Sequence, residues 1–293
     1  MNKEELKTLV AQMLQEMGGK AEPPVKAAEY RPTEPVRDGT LEDISQTDLR
    51  KQYLVDKPQK PAEFLALKQK TPARLGAGRA GSRYKTATML RFRADHAAAQ
   101  DSVFSLVPED FAKAHDLIPL QTLCKDKDEY LTRPDLGRRF DEHHQKLLKE
   151  GFSGQRVLLV IGDGLSSAAI TANAIDCAAA IRQGLKSHGI DCGKGIFVKF
   201  CRVGASDHIG ELTGCEVVCL LVGERPGLVT NESMSAYVTY KPHVGIPESK
   251  RTVVSNIHSQ GIAPVEAGAH IASLIDRMLK QRASGIDLMQ EGL

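Results

Sequence analysis

The chain has 293 residues, 41% of them apolar, enough to bury one sizeable core with appendages, and its 39 basic and 37 acidic residues leave a net charge of only +2. That balance provides no basic field for nucleic acid, and a 5% aromatic share without tryptophan provides no stacking platform for single strands. The longest apolar run, Val217–Val222, is far short of the ~20 residues that cross a bilayer, and Lys3, Glu4, Glu5 and Lys7 interrupt any signal-peptide pattern, so a cytosolic, non-membrane protein is expected.

Residues 2–17 carry Leu6, Leu9, Val10, Met13, Leu14 and Met17 at helical spacing, with Lys and Glu on the other side. Gly18-Gly19 ends this amphipathic helix, and a Pro-, Glu- and Lys-rich stretch to about Pro35 reads as a flexible tether. The helix admits two readings: one folded back on its own domain, or a sorting or partner-docking peptide. From residue 36 to 150 the pattern is helical, with helices expected at Leu49–Leu54, Ala62–Lys70, Thr86–Gln100, Glu109–Ala114 and Asp135–Lys149, and no strand is expected there.

The character changes over residues 151–293. Val157–Ile161, Gly195–Phe200 and Glu216–Val222 are apolar strands separated by helices at Ala168–His188 and Asp207–Gly214. Val238–Tyr240 and Thr252–Ile257 add two more strands, and Pro264–Lys280 closes with a helix. Strands alternating with helices imply a mostly parallel sheet covered on both faces. The expected fold is therefore α/β: a Rossmann-like, mostly parallel sheet domain preceded by a helical N-terminal region.

Gly76-Ala77-Gly78-Arg79-Ala80-Gly81 fits G-x-G-x-x-G, but the Lys70–Arg74 stretch before it is no buried strand, so dinucleotide binding is not expected. With Arg74, Arg79, Arg83 and Lys85 it reads either as a basic loop facing an anion or partner, or as a solvated loop. Three stretches stand at the carboxyl edge where parallel sheets hold ligands. They are the Gly162–Ser167 turn, suited to a polar ligand or to plain helix capping, the Glu224-Arg225 pair, a salt bridge or a ligand contact, and the strand end at Ser255–His258. Six cysteines (124, 177, 192, 201, 215 and 219) lack metal-ligand spacing and read as small core residues. No Ser-His-Asp order, H-E-x-x-H or phosphate-loop lysine is present, so the chain offers no self-contained catalytic constellation.

Several stretches together resemble the small subunit family of ethanolamine ammonia-lyase. They are Ala77–Arg83, Leu90–His96, Tyr130–Arg139, Gly162–Ser166, Leu221–Gly227 and Ser255–His258, and the likeness spans residues 70–287. The resemblance implies a lyase of large and small subunits that converts ethanolamine to acetaldehyde and ammonia by a radical route. It further implies adenosylcobalamin at the subunit interface and the main catalytic residues on the large subunit. The family's small-subunit cobalamin contacts fall on Val203, Glu224 and Val253, the last of which has no polar side chain. The motif D-x-H-x-x-G, by which some cobalamin proteins replace the cofactor's base, is not matched by Asp207-His208-Ile209-Gly210, so His208 reads as a helix residue. The N-terminal helix and tether resemble peptides that load enzymes into bacterial microcompartments, which implies shell proteins as further partners of residues 2–17. The alternatives are a non-catalytic structural subunit and a stand-alone nucleotide-binding enzyme.

Overall fold

The computed structural model describes residues 43–44 and 47–290, so the helix expected at 2–17 and its tether lie outside the described residues. The described chain begins with α1 (Pro61–Lys68), and the glycine-rich loop forms a small antiparallel hairpin, β1 (Arg79–Ala80) and β2 (Arg83–Tyr84). The helices α2 (Thr86–Phe104) and α3 (Phe111–Ala114) follow. Next come β3 (Ile118–Gln121), α4 (Lys127–Thr132) and α5 (Glu142–Phe152). The α/β half holds β4 (Val157–Gly162), α6 (Ser167–Ser187), β5 (Ile196–Lys199), α7 (Ala205–Thr213) and β6 (Val217–Gly223). It ends with β7 (Met234–Tyr240), β8 (Arg251–Ile257), α8 (Pro264–Gln281) and α9 (Ile286–Gln290).

Six strands form one sheet in the order β3-β5-β4-β6-β7-β8. Only β7 runs against the others, because β6–β7 and β7–β8 pair antiparallel while the remaining pairs are parallel. The mostly parallel α/β sheet expected from the alternation is present. Every residue of β4 and β6 is buried, as uninterrupted apolar strands covered on both faces must be. Alternate residues serve the two faces. Leu159, Ile161, Cys219 and Leu221 pack under α6 and α8, whereas Leu158, Val160, Val218 and Leu220 pack under α5 and α7.

The absence of strands before residue 150 was the expectation the structure overturns. β3 pairs parallel with β5 from Ile118↔Ile196 to Gln121↔Lys199. Its four residues contain Pro119, which has no N–H for a ladder and is tolerated here because β3 is an edge strand. Leu49–Leu54 forms turns instead of a helix. The single helix expected over Asp135–Lys149 is broken: a short 3-10 turn covers Leu136–Arg138, and α5 restarts where the Asp141 carboxylate accepts from the His144 N–H at 2.8 Å.

The α6 apolar face (Ile170, Ala174, Cys177, Ile181, Leu185) repeats at helical spacing and lies against α8. The helices approach closely at Gly268, where an added Cβ would stand 2.6 Å from both the Ala180 Cβ and the Cys177 carbonyl oxygen. Gly268→Val is therefore expected to lower unfolding stability by about 1–3 kcal/mol through overpacking. Urea denaturation of the full chain checks this, and an unchanged midpoint would show that the two helices can part at no cost.

Candidate functional site

At the carboxyl edge of the sheet the strands end at Gly162, Lys199, Gly223 and Ile257. The first of these ends is closed. Ser166 Oγ accepts from the Ala169 N–H at 3.1 Å and donates to the Asn231 carbonyl, while Ser167 Oγ donates to Asp163 at 2.7 Å. Asp163 also accepts from the Val107 N–H at 3.1 Å, and Lys127 Nζ donates to the Gly164 carbonyl at 2.9 Å. Burial pushes the Asp163 carboxyl up, partly countered by the nearby Lys127 ammonium, and burial pushes the Lys127 ammonium down. Of the two readings of the Gly162–Ser167 turn, helix capping is carried out by Ser166, while the Ser167 hydroxyl serves Asp163 and the Ser105 carbonyl.

A cleft of about 280 Å³ lined by Gln121, Asp163 and Lys199 lies beside the ends of β3 and β5, and a second open part of the edge lies toward β7 and β8. Glu224 follows β6 directly, and its backbone N–H bonds the Ser233 carbonyl at 2.9 Å. Its partner is not Arg225, which is exposed and bonded to nothing among the described residues. Instead the Tyr237 hydroxyl donates to Glu224 Oε1 at 2.8 Å. Oε2 of the half-buried carboxylate has no partner among the described residues. Burial, then the adjacent Glu224 carboxylate, raises the Tyr237 phenol to about 12. Register puts Tyr237 opposite Leu220 on one side and Val253 on the other, so their side chains share the face covered further along by α5 and α7. Those helices stop short of Val253, which is 46% exposed. Val203, half-buried in the loop after β5, packs onto the core of this same face. The three sequence-derived positions thus share one side of the sheet, with Glu224 and Val253 joined through Tyr237.

A buried ion pair underlies that arrangement. Arg251 on β8 donates to both carboxylate oxygens of Asp207 on α7, at 2.6 and 2.8 Å, and to Glu248 at 2.7 Å. Burial works against the charged guanidinium, but the hydrogen bonds to Asp207 and Glu248 outweigh it and raise its pKa. Neither Tyr237 nor this pair was singled out from the sequence. The signal available was an aromatic and an arginine on the side of the last two strands that faces away from α8, but finding it requires the antiparallel register.

The other marked residues have structural roles. His208 is a helix residue, as expected, stacked on Phe140 with ring centroids 5.7 Å apart, and burial lowers its pKa. His258 Nε2 lies 2.8 Å from Asn256 Oδ1. All six cysteines are free and buried, and burial raises every one of their thiol pKa values, Cys177 to about 12. No cluster of metal-ligating side chains occurs among the described residues, nor is any described helix long and apolar enough to cross a membrane.

The model of the family described as "Ethanolamine ammonia-lyase light chain (EutC)" matches residues 61–289. The chain belongs to this family. It is 58% identical to the ethanolamine ammonia-lyase small subunit of Clostridioides difficile (strain 630) over 292 residues, 98% of this chain and 100% of the relative. The small subunit of Clostridium perfringens is 56% identical over 294 residues, and that of Lachnoclostridium phytofermentans 52% over 295, covering 98% of this chain and 100% and 99% of the relatives. The matched span agrees with the stretch over which the sequence resembled the ammonia-lyase light chain, and such a chain is one component of a hetero-oligomeric lyase.

Asp207→Ala leaves the Arg251 guanidinium, 2% exposed, with only Glu248, and is expected to cost about 3 kcal/mol of unfolding stability. Retention of wild-type stability in denaturant titration would contradict it. Tyr237 holds its proton more tightly folded, at about 12, than unfolded, near 10. Its contribution to stability is therefore complete below pH 10 and lost as pH rises through about 12. Tyr237→Phe should flatten the fall of stability between those values, as read from unfolding midpoints against pH.

Proposed function

We propose that this chain is the small subunit of an adenosylcobalamin-dependent ethanolamine ammonia-lyase, and that Val203, Glu224 and Val253 hold part of the cobalamin at the interface with the large subunit. The observation that carries this reading is the hydrogen bond from Tyr237 to Glu224, which fixes a half-buried carboxylate with one free oxygen on the face of the sheet that also carries the exposed Val253. The residues fit the group. The periphery of a corrin ring carries carboxamides and methyls, and the site offers an oriented acceptor flanked by apolar side chains. Val253 contributes apolar or backbone contact only.

When bound, adenosylcobalamin supplies the radical chemistry that this reaction class requires, through homolysis of its cobalt–carbon bond. This chain's residues bind and orient. Glu224 accepts from amide or hydroxyl donors, Tyr237 prevents the carboxylate from rotating away, and Val203 and Val253 exclude water from their part of the contact. The main catalytic residues are assigned to the large subunit in this reading. Microcompartment shell proteins, reached through residues 2–17, complete the proposed setting.

The test mixes the full chain with its cognate large subunit and follows cobalamin absorbance through size exclusion. Cobalamin should co-elute with a mixed complex that releases ammonia from ethanolamine. Glu224→Ala should weaken cobalamin binding about tenfold or more, by loss of a charge-assisted hydrogen bond, with assembly intact. A complex without corrinoid, or unchanged affinity in the variant, would leave this chain a purely structural subunit.

A further inference from the structure

Beside Val203 lies a cleft of about 410 Å³, whose charged lining is Arg138, Arg139, Arg202 and Arg251 against Asp207 and Glu248. The two carboxylates are held by Arg251 alone, through four hydrogen bonds of 2.6 to 3.2 Å. The other three arginines make no hydrogen bond or salt bridge to a carboxylate among the described residues. Arg202 lies over the Tyr130 ring at 4.2 Å and donates to the Tyr130 carbonyl at 2.7 Å, while its buried Nε bonds nothing. Arg138 and Arg139 are exposed and make no side-chain hydrogen bond. The Arg138 side chain is laid against Gly204, where an added Cβ would stand 3.1 Å from its Cγ and Cδ.

Gly204 is also the N-cap of the nine-residue helix α7, and it supplies no capping side chain. Three unpaired guanidinium groups therefore gather at the positive end of a helix dipole, where cations are disfavoured. Mutual repulsion and the helix field both act against this arrangement, and Asp207 and Glu248, already hydrogen-bonded to Arg251, offset it only in part; a further anion among the arginines would relieve it. The positive field reaches neighbouring groups: Arg251 first, and Arg138 further, lower the Glu248 carboxyl. The planar forks of arginine suit the oxygens of a phosphate. We infer that the cleft between Arg138, Arg139, Arg202 and the start of α7 binds a phosphate-class anion. The anion has two chemical sources, the phosphodiester in the nucleotide arm of the cofactor and free phosphate. The first rests on the cobalamin reading above, with Val203 as the residue shared by the two sites; the second does not.

The experiment uses the assembled complex of the full chain with its large subunit, wild type and Arg138→Gln/Arg139→Gln. Both positions are exposed, so the substitutions leave the core untouched. Hydroxocobalamin and cobinamide, a corrinoid without the nucleotide arm, are titrated by visible absorbance, and inorganic phosphate by calorimetry without corrinoid. The cofactor source predicts hydroxocobalamin binding weakened at least about tenfold with cobinamide binding unchanged. The free source predicts phosphate binding that is lost in the variant while both corrinoids bind as before. The inference is overturned if both corrinoids weaken alike, or if neither phosphate nor hydroxocobalamin responds. It is equally overturned if the variant loses the large subunit instead, which would make the arginines a docking face for an acidic partner surface. If neither corrinoid binds the wild-type complex, the cobalamin reading fails separately and phosphate binding alone decides the cleft.

Discussion

The arrangement of the candidate site depends on the ion pair between Asp207 and Arg251. Asp207 sits in the first turn of α7, four residues after Val203, and Arg251 opens β8, two residues before Val253. Their bidentate contact ties the helix that follows the parallel strand β5 to the edge strand of the antiparallel end of the sheet. Without it, nothing else on this face joins those two segments by paired charges among the described residues. Buried pairs of this kind add little net stability over an apolar substitute, because desolvation consumes most of the Coulombic gain. What the pair supplies here is a fixed geometry. The loop carrying Val203 and the strand carrying Val253 share one reference point, and Tyr237 on the intervening strand orients Glu224 between them.

The reversal of β7 explains why the open edge lies where it does. In an all-parallel sheet the helix N-termini crowd the carboxyl edge, and α6 does so here, with Ser166, Ser167 and Asp163 filling the space ahead of it. Beyond β6 the chain returns directly as β7 instead of crossing over through a helix. The face under Tyr237 and Val253 is consequently left without a covering helix at Val253, while α8 covers the opposite side.

Much of this was legible in the sequence, for physical reasons that differ by element. The strands β4 and β6 announce themselves because burial on both faces demands unbroken apolar runs, and α6 and α8 because one buried stripe demands helical spacing. β3 was hidden by Pro119, which looks like a strand breaker until its edge position is known. The break at residues 139–141 was hidden because the capping carboxylate of Asp141 resembles any helical acidic residue. At the site, the strand-edge position of Glu224 follows from its place after an apolar run. Its partner does not: Tyr237 is 13 residues away, and only the antiparallel register brings them together. Val203 and Val253 carry no chemical signal of their own, and it was the family resemblance that picked them out.

The buried cysteines have a practical consequence. Cys177, Cys192 and Cys219 lie in the core beneath α6 and α8, Cys201 and Cys215 in the core beneath α5 and α7, and Cys124 in a third, small cluster with Tyr130 and Phe200. Since each thiol is shielded and its thiolate disfavoured, an alkylating reagent can reach it only when its own layer opens. The chain therefore contains, without engineering, a set of internal clocks. Site-resolved alkylation rates would time the opening of each side of the sheet separately, and would show whether the chain loosens first on the side that carries Tyr237 and Val253.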